Sequence, residues 1–215
     1  MKFPAPLLAG PAIEDARACI LLVHGRGASA EGMLDLYEQL QAPSCAAIAP
    51  QAPGNSWYPQ SFLAPLEANQ PYLDNSLGHL ESLVKDLLSR GIKSDRIALL
   101  GFSQGACLTT EFVARNPARY GGVIAFTGGL IGPPGTLRDY PGSLAETPVF
   151  LGASDPDPHV PFARVRETRD VLAAMGAVVV LRRYPGMGHT INADEMDACR
   201  ELIQRLGQGG EIGND

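Results

Sequence analysis

Short apolar runs alternate with amphipathic segments along this chain of 215 residues. The runs are rich in Leu and β-branched residues, which is typical of buried strands, and lie at residues 19–23, 46–49, 97–100, 123–126, 149–151 and 178–181. Helical patterns begin after Ser29, Asp74, Gly101, Pro161 and Asn192. The alternation predicts a mostly parallel central sheet with helices on both faces, in a single α/β domain of residues 1–215.

Charge, cysteine spacing and the two ends of the chain argue against several other classes of protein. The formal net charge is −6 and Lys and Arg form no cluster, so the chain lacks the basic surface that nucleic acids require. No apolar run approaches the roughly 18 residues of a membrane span, and Pro4, Pro6 and Pro11 argue against a signal peptide. Four widely spaced cysteines without a C-x-x-C pair predict a reduced, cytoplasmic protein. We expect Gly207 to end the last helix and residues 207–215 to form a flexible tail.

The most informative segment is a Gly-x-Ser-x-Gly motif between a predicted strand and a predicted helix. It reads Gly101-Phe102-Ser103-Gln104-Gly105. So sharp a turn from strand to helix strains its central residue, and the flanking glycines leave room for the turn. The turn also places the Ser103 hydroxyl at a helix N-terminus, where the helix dipole and free N–H groups stabilise negative charge. The motif predicts Ser103 as a catalytic nucleophile.

A serine nucleophile also needs a histidine base and a carboxylate that orients the base. Of the histidines after Ser103, His189 lies in a Gly-rich loop after the last predicted strand, which is where a mobile base belongs. His159 lies between prolines and is expected at a loop or rim. Asp155 and Asp157 both follow a predicted strand end and are both candidates for the acid. The residue types alone leave the choice between these two aspartates open.

A second Gly-rich turn follows the first long apolar run and reads His24-Gly25-Arg26-Gly27. In enzymes with a Gly-x-Ser-x-Gly turn, such a loop donates one backbone N–H to the oxyanion, and the residue after the nucleophile donates another. These positions are Arg26 and Gln104. We expect His24 to brace the loop, and the Arg26 side chain either to attract an anionic substrate or to point outward. Nucleotide binding is less well supported, because neither of its glycine motifs is completed.

Two further stretches fit neither the helical nor the strand period. Residues 52–72 contain four prolines and several aromatic side chains, and residues 128–148 are rich in Gly and Pro. Loops of an α/β sheet that leave the carboxyl ends of the strands line ligand sites. Both stretches are therefore candidate walls of a substrate pocket.

Taken together, these motifs resemble the phospholipase/carboxylesterase family of α/β-hydrolases, which includes small bacterial carboxylesterases and acyl-protein thioesterases. The matching segments are His24-Gly25-x-Gly27, Asn55-Ser56-Trp57-Tyr58, Gly101 to Gly105, Asp157-Pro-His-Val-Pro161 and Gly188-His189. The resemblance implies that the acid is Asp157 and that Trp57 lies near an acyl pocket. Members of the family are often homodimers, and the residues leave the oligomeric state of this protein open. It also implies a single α/β-hydrolase domain that cleaves small acyl esters.

This sequence departs from the family pattern at two places. Ala106 stands where a further Gly is common, and the acid loop is two residues longer at Asp155-Pro156 than in the thioesterases. The resemblance is therefore stronger to the broad esterase family than to the thioesterases. We expect a carboxylesterase that works through an acyl-enzyme on Ser103, without a metal or organic cofactor. The alternative is a catalytically silent protein of the same fold that binds a ligand.

Overall fold

The computed structural model describes residues 2–208, which form a seven-stranded sheet flanked by five helices. The strands are β1 (Leu7–Ala9), β2 (Ala18–Val23), β3 (Cys45–Ala49), β4 (Ile97–Phe102), β5 (Gly122–Phe126), β6 (Pro148–Asp155) and β7 (Val178–Pro185). Their order is β1-β3-β2-β4-β5-β6-β7, and only β1 runs antiparallel to its neighbour. This mostly parallel sheet confirms the fold predicted from the alternating pattern.

The helices cover both faces of the sheet. They are α1 (Ala30–Leu40), α2 (Tyr72–Ser89), α3 (Gln104–Arg115), α4 (Phe162–Ala174) and α5 (Ala193–Gln208). Alternate residues of β2 serve the two faces: Leu21 packs in the core under α2, α3 and α4, whereas Ile20 and Leu22 pack in the core under α1 and α5. Because both faces are covered, the central strands consist of continuous apolar residues.

Local signals place the starts of α1 and α5 correctly. The start of α2 is misplaced, because this helix begins at Tyr72 and already includes Asp74. Ser29 Oγ accepts a hydrogen bond from Gly32 N at the start of α1, and Asn192 and Glu195 cap α5 reciprocally, with bonds of 2.9 and 2.8 Å. The prediction that Gly207 ends α5 is wrong, because the helix continues to Gln208. Gly207 is buried against Ser44, where a Cβ would lie 2.6 Å from the Ser44 hydroxyl oxygen, so its role is close packing. The remainder of the predicted tail, residues 209–215, lies outside the described residues.

The two edge strands also differ from expectation. No pattern in the sequence predicted β1, a three-residue strand that pairs with β3. The prediction that residues 178–181 form a fully buried strand is wrong: Val178 and Val180 of β7 are 57% and 49% exposed. β7 ends the sheet, and α4 packs on one of its faces. An apolar run at a sheet edge has the same sequence signature as a central strand, so only topology distinguishes the two.

The parallel strands bring their carboxyl ends to one edge of the sheet. Ser103 follows β4 directly, Asp157 follows β6, His189 lies in the loop after β7, and Arg26 lies after β2. The candidate site therefore lies on the loops at this edge, which is where α/β sheets bind ligands.

None of the helices in residues 2–208 is long and apolar enough to cross a membrane.

Candidate active site

Ser103 forms the strained turn that the motif predicts. Its backbone has φ +53° and ψ −117°, a conformation that non-glycine residues rarely adopt. A Cβ on Gly101 would lie 2.4 Å from the Gly105 carbonyl oxygen, and a Cβ on Gly105 would lie 2.0 Å from the Val23 carbonyl oxygen. Glycine is thus required on both sides of Ser103 because the backbone of α3 packs directly against β2 and β4.

The structure brings Ser103, His189 and Asp157 into one hydrogen-bonded chain. Ser103 Oγ lies 2.8 Å from His189 Nε2, and His189 Nδ1 lies 2.8 Å from Asp157 Oδ2. An ionised carboxylate can only accept, so the ring proton lies on Nδ1 and Nε2 is free to accept from the serine hydroxyl. The Asp157 side chain is fully buried, whereas that of His189 is 19% exposed. A base so placed can take the serine proton.

Asp157 is ionised because its hydrogen bonds outweigh its burial. Burial opposes the charge, but bonds from the His159 amide, the His189 ring and the Val160 amide lower the pKa of the carboxyl below its ordinary value. Asp155, the other acid candidate, lies elsewhere: its Oδ2 is 2.7 Å from Arg183 Nε. Of the two aspartates that the residue types left open, Asp157 is the one that contacts the histidine.

The loop that carries His189 is anchored to β6 on both sides of the histidine. Gly188 N donates to Ser154 Oγ at 2.9 Å, and Glu195 of the α5 cap lies flat against Gly152, where a Cβ would be 2.1 Å from its Oε1. Burial raises the pKa of Glu195 to about 7, and the nearby charge of Asp194 adds to this effect. His189 is therefore held between two anchors, one of which is a buried carboxyl group.

The amides of Arg26 and Gln104 lie beside Ser103 in the turns after β2 and β4. Neither N–H donates to an acceptor among residues 2–208. Gln104 is the first residue of α3, so its amide lies at the positive end of the helix dipole. Both amides are thus available to a ligand oxygen in the site.

His24 is a bracing residue, and burial lowers its pKa. Its Nε2 accepts from the Ala52 amide at 3.0 Å, which places the proton on Nδ1, the atom that lies 2.7 Å from the Gly25 carbonyl oxygen. Trp57 Nε1 donates to the His24 carbonyl at 2.8 Å. Both ring nitrogens of His24 are occupied, which leaves the imidazole no proton to exchange with a substrate.

A cavity of about 390 Å³ opens beside Ser103. One side of the cavity is lined by residues Tyr58 to Phe62. The other side is lined by Phe102, Ser103, Cys107, His159, Val160 and His189. His159 is an exposed residue of this lining, and its ring packs edge-on against His189 with centroids 4.9 Å apart. The walls combine aromatic and aliphatic surface with polar side chains, including those of Gln60 and Ser61, as a site for a small organic ligand does.

Two pocket predictions need correction. Trp57 does not belong to this lining, because its fully buried side chain is used to hold the His24 carbonyl and packs 4.9 Å from the His24 ring. The stretch 52–72 does supply a wall, but the stretch 128–148 does not; instead Gly132 N donates to the Phe62 carbonyl and supports that wall from behind. The sequence identified the right loop without showing which of its aromatic residues faces the cavity.

Comparison with known proteins agrees with this geometry. The sequence profile of the Phospholipase/Carboxylesterase family matches residues 10–206. The chain belongs to the phospholipase/carboxylesterase family. Acyl-protein thioesterase 1 of Neurospora crassa is 28% identical over 225 residues, which cover 94% of this chain and 92% of that protein. Acyl-protein thioesterase 1 of Saccharomyces cerevisiae is also 28% identical, over 90% of this chain and 94% of that protein.

Solved structures of the family superpose on the same sheet. A phospholipase/carboxylesterase from Dyadobacter fermentans has a TM-score of 0.90 and 43% identity, and covers 93% of this chain and 95% of its own. The Bacillus cereus carboxylesterase has a TM-score of 0.77 at 17% identity, and shows the shared fold alone. The chain is therefore a carboxylesterase-type acyl-ester hydrolase of the α/β-hydrolase fold, as its motifs predicted.

Proposed function

We propose that this protein hydrolyses carboxylic esters or thioesters through an acyl-enzyme on Ser103. Ser103 Oγ attacks the carbonyl carbon, and its proton passes to His189 Nε2 as the new C–O bond forms. Asp157 holds the resulting imidazolium through Nδ1. The bond to the leaving alcohol or thiol then breaks, and the leaving group takes the proton from Nε2.

Water completes the reaction by the same route. It attacks the acyl carbon while His189 takes one of its protons, and the returning proton goes to Ser103 Oγ as the carboxylic acid leaves. In both steps the carbonyl oxygen becomes an oxyanion, and the amides of Arg26 and Gln104 bind it. Losing one such donor costs about 100- to 1,000-fold in turnover in other enzymes.

The observation that carries this proposal is the continuous chain from Ser103 Oγ to Asp157, with both links 2.8 Å long. It begins at a strained turn whose neighbouring amides have no other acceptor among the described residues. A protein that only binds ligands has no need of a base aligned on a serine hydroxyl. The cavity beside Ser103 would receive the acyl group, and its volume of about 390 Å³ is suited to a small organic ligand.

A fluorophosphonate probe tests the proposal directly, because it labels serines that an adjacent base activates. The intact mass should increase by one adduct, and peptide sequencing should place that adduct on Ser103. His189→Ala should abolish labelling, whereas Ser82→Ala, on the exposed side of α2, should leave it unchanged. A folded protein that takes up no probe would contradict the proposal and support a catalytically silent ligand-binding protein instead.

A further inference from the structure

The side chains of Arg26 and Gln104 both turn toward the same backbone segment, residues 56–60. Arg26 donates from Nη1 to the Pro59 carbonyl at 2.8 Å and from Nη2 to the Tyr58 and Gln60 carbonyls at 2.9 and 2.6 Å. Its guanidinium carbon lies 5.9 Å from the centroid of the Tyr58 ring. The exposed side chain therefore lies against this segment, and three of its N–H groups are engaged with carbonyl oxygens instead of being free for an anion.

Gln104 also holds this segment, through Trp57 and Tyr58. Its Oε1 accepts from the Trp57 amide at 3.0 Å, and its Nε2 donates to the Tyr58 carbonyl at 2.8 Å. Gln104 is almost fully buried, so this geometry is fixed by packing as well as by hydrogen bonds. The Tyr58 carbonyl oxygen is thus an acceptor shared by the side chains of Arg26 and Gln104. It also accepts from Ser56 Oγ, within the same segment, at 2.9 Å.

The backbone around Tyr58 is itself well anchored. Ser76 Oγ donates to the Trp57 carbonyl at 2.7 Å, and the Gln60 amide donates to Asn69 Oδ1 at 2.8 Å. Gly27 N, next to Arg26, donates to the Asn55 carbonyl at 2.7 Å. A segment fixed at both ends can act as a template for the two turns that pack against it.

We propose that the Arg26 and Gln104 side chains are positioning groups that set the spacing of their own backbone amides through the shared Tyr58 carbonyl. This rests on the proposed function, in which those two amides bind the oxyanion. The wall of the acyl cavity then also aligns the oxyanion donors. Arginine suits this position because its planar fork reaches three carbonyls at once, whereas a lysine ammonium is a single point of contact.

The consequence is kinetic, because oxyanion donors act on the transition state. A displacement of about 1 Å in a reacting group can cost about 100-fold in rate. Arg26→Met and Gln104→Met keep the backbone amides and remove the side-chain hydrogen bonds. Each should lower kcat by roughly 10- to 100-fold and leave KM within about threefold, because the ground-state carbonyl draws less on these donors.

The shared acceptor gives a sharper expectation for the double variant. Once either side chain is lost, the Tyr58 carbonyl no longer links the two turns, so the second loss matters less. The combined loss of kcat in Arg26→Met/Gln104→Met should be at least about threefold smaller than the product of the two single losses.

Arg26→Lys should resemble Arg26→Met, because it keeps the charge without the fork. Arg119→Met, which removes an arginine bonded to the Ala145 carbonyl away from the cavity, is the matched control and should leave kcat unchanged.

The experiment measures kcat and KM for p-nitrophenyl butanoate, with each kcat divided by the fraction of active sites that a fluorophosphonate titrates. This normalisation removes misfolded protein from the comparison. Three outcomes would each overturn the positioning role while leaving the proposed function intact. They are an increase in KM at constant kcat in the single variants, multiplicative losses of kcat in the double variant, and a wild-type kcat in Arg26→Lys. A wild-type protein that neither turns over the ester nor reacts with the probe would instead overturn the proposed function, and this inference with it.

Discussion

The two sides of Ser103 are built differently. On the oxyanion side, the turn after β2 is tied to residues 51–60 by His24 Nε2, by the His24 carbonyl that Trp57 Nε1 binds, and by the Arg26 side chain. The Gln104 side chain ties the turn after β4 to the same residues. On the base side, the His189 loop is tied to β6 through Ser154 Oγ and the capped start of α5. The oxyanion side is a dense network that is buried at His24, Trp57 and Gln104, and the base side is a loop between two anchors.

This difference matches the tasks we assign to the two sides. Donors that stabilise an oxyanion are effective only when they are fixed before the reaction begins. A base has to take a proton from one oxygen and return it to another, which a loop with fewer restraints permits. We therefore expect substitutions on the base side to change the rate more than the stability, and substitutions in the oxyanion-side network to change both.

The largest expected effect lies on the base side. Asp157→Asn should lower kcat by about 10,000-fold, because the amide no longer holds the ring proton on Nδ1. The melting temperature should change little, since the new side chain still accepts from the His159 and Val160 amides. Steady-state kinetics and circular dichroism test both statements. Asp155→Asn is the control, because that residue pairs with Arg183, and it should keep kcat within about threefold of wild type. Equal losses in the two variants would contradict our assignment of the acid.

The next effect tests the oxyanion side. His24→Leu leaves the buried Ala52 amide without a partner, which costs about 1–3 kcal/mol. It also removes one of the two hydrogen bonds to the Gly25 carbonyl, which costs about 0.5–1.5 kcal/mol while the bond from the Ala28 amide remains. In a protein of this size we expect the melting temperature to fall by roughly 5–15 °C, with a loss of kcat. His79→Leu is the comparison, because His79 Nε2 is buried without a hydrogen-bond partner in the part of the chain that the structure describes. If both variants melt alike, the network around His24 is not a source of stability.

The smallest expected effect concerns the anchor at Glu195. Burial raises the pKa of Glu195 to about 7 from its ordinary 4.5, so the folded protein keeps this proton over a range in which the unfolded chain loses it. The free energy of unfolding should therefore fall by roughly 3 kcal/mol as the pH rises from about 4.5 to 7. Glu195→Gln should remove that part of the pH dependence in thermal melts, whereas Glu201→Gln, an exposed residue of α5, should keep it. An unchanged slope in Glu195→Gln would show that this carboxyl group is ionised in the folded protein at neutral pH.

Much of the fold could be predicted from the sequence because its signals are local. Apolar runs of three to five residues indicate central strands, and the caps at Ser29 and Asn192 involve residues three positions apart. The misplaced features have no such signal. Gly207 looks like a helix stop, but it is a packing residue because Ser44, distant in the sequence, lies against it.

The candidate site also contains features that the sequence determined and features that it did not. The strained turn at Ser103 was determined by the sequence alone, because the glycines that allow it lie within two residues of the serine. Only the tertiary structure decided three other features of the site. They are the choice between Asp155 and Asp157, the position of Trp57 behind the cavity, and the direction of the Arg26 side chain. Each depends on partners about 30 residues away in the chain, such as His189 for Asp157 and Tyr58 for Arg26. Backbone sterics act between neighbours in sequence, whereas hydrogen-bond partners across loops are selected by packing.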